Sequence, residues 1–95
     1  MNFQGDVATT ETDIFTSPAN RRTIVTGIRL MNQGSPDIYG EILLNNSPIF
    51  IGNVEGKDGI YDKDTRIEVL PNQKISCKGQ AAGLKYCITC VEVDN

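Results

Sequence analysis

Cys87 and Cys90, in "CITC", are the residues best spaced for chemistry, because C-x-x-C is the spacing of a redox pair or half a zinc site. The surrounding "LKYCITCVEV" alternates as a strand does, and residues three apart on a strand point to opposite faces. The two sulfurs therefore diverge, whereas redox pairs sit at a helix start that stabilises the thiolate. With Cys77 as a third ligand, zinc still lacks a fourth, since the chain contains no histidine. The same lack removes the commonest general base and excludes Ser-His-Asp and Cys-His triads. Asp58, Asp62, Asp64 and Glu68 in "DGIYDKDTRIE" are too sparse for a calcium loop, and Lys57 and Lys63 dilute their charge. They read as a solvated loop. A glycosidase pair of carboxylates would need a deep cleft, for which 95 residues leave little room. The sequence thus predicts no catalytic residue, no metal, no cofactor and no enzyme.

Length and charge narrow the class further. Ninety-five residues suffice for one domain with a modest core. A net charge of -3 argues against nucleic acid as a partner, because phosphate contacts need clustered Lys and Arg. No apolar run approaches the ~20 residues that span a bilayer, so no membrane partner is expected. "MNFQGDVATTETD" shows no basic segment followed by an apolar run, which makes synthesis in the cytoplasm the default expectation. Three cysteines are an odd number for a disulfide framework. Reduced thiols acting as small apolar residues are expected, the alternative being a cross-strand bridge from Cys77 to one of the others.

These residues must sit on strands, for no stretch sustains an apolar pattern at helical spacing. Residues 1–11 are polar apart from Phe3 and Val7 and read as a flexible N-terminal arm, with a single domain over residues 12–95. A short strand at Asp13–Thr16 stops at Ser17-Pro18. The long strand Arg21–Asn32 presents Ile24, Thr26, Ile28 and Leu30 as its core face. Ile38–Leu44 and Ile49–Gly52 form a hairpin across "NNSP". "NVEGKDGIYDKD" reads as a loop with a short strand near Ile60-Tyr61. "TRIEVL" turns Ile67 and Val69 inward, and "KISCK" turns Ile75 and Cys77 inward. In Leu84–Val93, Tyr86, Ile88 and Cys90 face the core, or Cys87, Val91 and Val93 do. Pro and Gly punctuate the chain at the spacing of an all-β antiparallel β-sandwich, jelly-roll-like or Ig-like, with about seven to eight strands.

"DIFTSPANRRTIVTGIRLMNQG" resembles the leading motif of small β-sandwich proteins and modules of tailed-phage virions. In that motif a short strand ending in an aromatic and Thr (Phe15-Thr16) meets a proline turn (Pro18). Basic residues follow (Arg21-Arg22), then a long strand ending in Asn and Gly (Asn32, Gly34). "IEVLPNQKISCKGQAAGLKYCITCVEV" is similar to the family's closing strands. The likeness covers residues 12–34 and 64–93, and Asn20 departs from it where the family often has glycine. The resemblance implies a non-enzymatic virion component: a capsid decoration (cement) protein, or a tail- or baseplate-associated module. Its partners would be the major capsid protein or another virion protein, and itself, with a trimer suited to threefold lattice sites. Phe3, Val7, Met31, Tyr39, Leu43 and Phe50 either bury against such neighbours or complete the monomer's core. Arg21 and Arg22 either form surface ion pairs or hold a neighbouring subunit's carboxylate. A carbohydrate-binding module is the competing reading, and the lack of Trp weighs against it.

Overall fold

A computed structural model describes residues 1–34, 36–57 and 59–94. Eight strands form among them and no helix does: β1 (Asn2–Asp6), β2 (Thr12–Thr16), β3 (Arg21–Asn32), β4 (Ile38–Leu44), β5 (Ser47–Val54), β6 (Gly59–Val69), β7 (Lys74–Gly79) and β8 (Leu84–Asp94). Asn45 and Asn46 both take positive φ, 51° and 71°, which gives β4 and β5 the tight turn that suits strand twist. Asparagine tolerates that region better than most residues, so "NNSP" does make the expected hairpin.

Sheet A has the order β1-β8-β3-β6 and sheet B the order β2-β7-β4-β5. Every pairing is antiparallel. Only the β4–β5 hairpin stays within one sheet, while every other connection crosses to the opposite sheet. That is the connectivity of a jelly roll, eight strands in two Greek keys, and it decides against the Ig-like alternative. Leu30 and Ile88 of sheet A meet Ile42 and Ile75 of sheet B in the core, each at most 1% exposed. Ile67, Val69, Ile75 and Cys77 all face inward as the alternation predicts. In β8 the inward set is Leu84, Tyr86, Ile88 and Cys90. Cys87 lies on the other face, so the two sulfurs of "CITC" do diverge.

Three expectations need correction. The core face of β3 is not Ile24, Thr26, Ile28 and Leu30. A bulge at Thr26 shifts the register between Val25 and Gly27, so Val25 joins Ile28 and Leu30 in the core. Thr26 is exposed, and Ile24 is buried on the outer face of sheet A beside Val91 and Glu68. The loop expected over residues 53–64 is mostly strand, because β6 begins at Gly59 and runs unbroken to Val69. Its charged residues read as loop because one face of an edge strand meets solvent. Asp58 lies outside the described residues.

The N-terminal residues are not a loose arm. Asn2–Asp6 is paired with β8, from Asn2 opposite Thr89 to Asp6 opposite Lys85. Phe3, Gly5 and Val7 alternate inward, and Val7 is only 3% exposed. Gly5 lets Tyr86 approach, for a Cβ there would stand 2.9 Å from the tyrosine oxygen. Val7 N–H donates to Leu84 O at 2.9 Å, carrying the chain off the sheet.

Candidate interaction surface

The motif at Thr12–Gly34 is a corner that carries the chain from sheet B to sheet A. Pro18 ends β2, and the buried Ser17 then ties three segments together. Its hydroxyl donates to Arg21 O at 3.0 Å and meets the buried Thr23 hydroxyl at 3.0 Å. Its N–H donates to Gln73 O, and its carbonyl accepts from Asn72 N–H. The two arginines extend along the start of β3 to strands of their own chain. Arg22 pairs with Glu68 of β6 at 2.9 Å, and Arg21 reaches Glu92 at 3.7 Å and Asp94 at 3.4 Å. Exposed pairs of this kind contribute about 0–1 kcal/mol each.

Of the other residues singled out as interface candidates, most have monomer roles. Phe3 of β1 stacks on Phe15 of β2 with ring centroids 4.6 Å apart. At the opposite side Phe50 of β5 meets Tyr61 of β6 at 4.4 Å. Each aromatic pair closes one side of the sandwich, where the edge strands of the two sheets face one another. Val7 and Leu43 are buried. Met31 is half-buried on the outer face of sheet A, and Tyr39 stands out from sheet B, 53% exposed. The structure brings no two of Arg21, Met31 and Tyr39 into one patch. Ile51 and Ile60, the most exposed of the large apolar side chains, have no signal in the alternation, because each occupies an outward position on an edge strand.

The outer face of sheet A is a polar trough. Gly27 forms part of its floor beside Thr89 and Asn2, and Arg29, Cys87 and Gln4 lie one row away. Two shallow hollows of about 400 and 530 Å³ share Gln4, Arg29 and Cys87. Arg29 donates to Asp62 at 2.9 Å, and that hydrogen bond, with the carboxylate's charge, raises the guanidinium pKa. Lys85 pairs with Asp6 at 2.6 Å. These are solvated cross-strand charges. No nucleophile there stands against a base, and no cluster of metal-ligating side chains occurs among the described residues.

All three cysteines are free. Burial pushes the Cys77 thiol up to about 11 and Cys90 upward as well, so both are held as inert thiols. Cys87 is half-exposed, so a thiol reagent should label one cysteine quickly in the native protein and all three after denaturation without reductant. A native count of three, or a denatured count of one, would contradict this arrangement. Cys77 also implies a pH dependence. Its folded pKa lies above the ordinary 9.0, so its contribution is whole below pH 9.0 and is lost as pH rises through about 11. The loss amounts to about 2–3 kcal/mol at most. Denaturant melts on either side of that window should show a smaller decline for Cys77→Val than for the wild type.

The chain matches no protein-family model and no curated protein.

Proposed function

We propose that this chain is a non-enzymatic structural protein of a tailed-phage virion, most simply a capsid decoration protein that stabilises the head through protein–protein contacts. The observation that carries the reading is the motif at residues 12–34 together with the closing strands at 64–93. Their residues account for the corner at Ser17 and for the ion pairs that brace it across β3, β6 and β8. The described surface fits a protein that works by contact, because its hollows are shallow and strand-lined. Jelly rolls serve in viral capsids and in lectins alike, so the fold is compatible with this reading without selecting it. The carbohydrate-binding alternative has a single exposed aromatic in its favour, Tyr39, beside Glu41, Lys78 and Gln80.

Co-sedimentation tests the proposal. The purified protein should bind saturably to phage heads that lack it, and imaging should place its density at fixed lattice positions. Failure to bind heads, combined with retention on an immobilised glycan that Tyr39→Ala abolishes, would replace this reading with the carbohydrate one.

A further inference from the structure

Four strands lie at sheet edges: β1 and β6 in sheet A, β2 and β5 in sheet B. An edge strand turns the N–H and C=O of alternate residues outward, so it templates another strand unless something blocks it. Three of the four edges carry charge. β1 ends in Asp6, and β2 holds Asp13 beside a bulge between Asp13 and Phe15. β6 is lined with Asp62, Lys63, Asp64, Arg66 and Glu68, all exposed. β5 is different. "SPIFIGNV" contains no charge; Pro48 and a bulge at Ile49 interrupt its start, and its register is unbroken from Phe50 to Val54. Its outward Ile51 is 58% exposed and shares a shallow hollow with Tyr39.

We propose that β5 is a self-association edge, to which a second copy of this chain adds its own β5 antiparallel about a two-fold axis at Gly52. Sheet B then continues from one protomer into the next. Charge selects a second copy as the occupant. A two-fold axis brings identical stretches together, so a charged edge such as β6 meets its own like charges, whereas β5 has none to oppose. In this register Ile51 lies opposite Asn53, and the two copies of Ile51 become diagonal neighbours on the outer face. Each then covers apolar surface that the monomer leaves in water, flanked by Tyr39. The inside of the edge is already filled, for the Phe50 ring lies against Gly52, where a Cβ would collide with it. The contact is thus made by backbone and by the outer row. This assignment does not rest on the virion reading, and it specifies a two-fold in place of the threefold which the resemblance implies.

Sedimentation velocity of the full chain over a dilution series tests it. The wild type should associate reversibly to twice the mass of one chain. Ile51→Lys should raise the dissociation constant about tenfold or more, since it removes the apolar pair and sets like charges side by side. Ile60→Lys makes the same chemical change at an equally exposed site on sheet A and should associate as the wild type does. Mixing Ile51→Lys with Ile51→Glu should restore the dimer, because the diagonal pair is then of opposite charge. Circular dichroism should show all three variants folded, as both positions are more than half exposed. A wild type that stays monomeric, a trimer, equal weakening by Ile60→Lys, or a mixture that fails to re-associate would each overturn the proposal.

Discussion

Val7→Asp should lower the melting temperature by about 15 °C or more, the largest effect expected from a single change in the first eleven residues. Val7 is 3% exposed, within the core cluster and against Gly79. Burying a valine side chain contributes roughly 1.5–3 kcal/mol, and a buried carboxylate without a partner adds a desolvation cost at least as large. A loss of about 4 kcal/mol compares with roughly 5–14 kcal/mol for a domain of this size. At about 4–8 °C per kcal/mol, the melting point should fall as stated. Gln4→Asp is the control: it changes the charge equally on the exposed face of β1, just before Val7, and should cost within about 0.5 kcal/mol. Thermal melts of the two variants decide whether residues 1–7 belong to the fold. Identical melts would mean that β1 is a loose arm after all.

Asn32→Asp should cost about 3–5 kcal/mol near neutral pH, and the loss should shrink in acid. Asn32 is fully buried at the end of β3, where its amide organises the crossing to β4. Its Nδ2 donates to Pro36 O at 2.7 Å and to Val54 O at 3.0 Å. Its Oδ1 accepts from Gly34 N–H at 2.9 Å. An ionised aspartate keeps the acceptor but sets an anionic oxygen against two carbonyl oxygens, which lose their donor. Both burial and those carbonyls favour the protonated acid, so the folded pKa rises above the ~3.9 of an unfolded chain. Stability is then greatest below that unfolded value and falls as pH rises toward the folded one. Asn32→Leu loses the same hydrogen bonds without a charge, so its cost should not vary with pH in that window. Denaturant melts of both variants at acid and neutral pH provide the check. A pH-independent loss for Asn32→Asp would show that the side chain reaches water.

Asn32 illustrates what alternation conveys and what it leaves out. "NQG" reads as the end of a strand from its turn chemistry, and β3 does end there. That the amide reaches Val54 on β5 is invisible in the chain, because hydrogen bonds between elements depend on which elements become neighbours. Arg21 and Arg22 follow the same rule. Their type and place at a strand start were legible, while Glu68, Glu92 and Asp94 became their partners only when β6 and β8 flanked β3.

By itself the sequence determined that the chain folds as strands, that Ile67, Val69, Ile75 and Cys77 turn inward, and that the sulfurs of "CITC" point apart. Each follows from the two-residue period of an extended backbone, a local property that needs no partner. Tertiary structure alone decided three further matters. Thr26 bulges and shifts the phase of β3, because a bulge is defined by the residue it opposes on the next strand. Asn2–Asp6 becomes a strand because β8, at the far end of the chain, supplies the ladder that its own few apolar residues could not replace. The jelly-roll order was likewise beyond alternation, for the period says that a strand has an inward face but not which strand lies beside it.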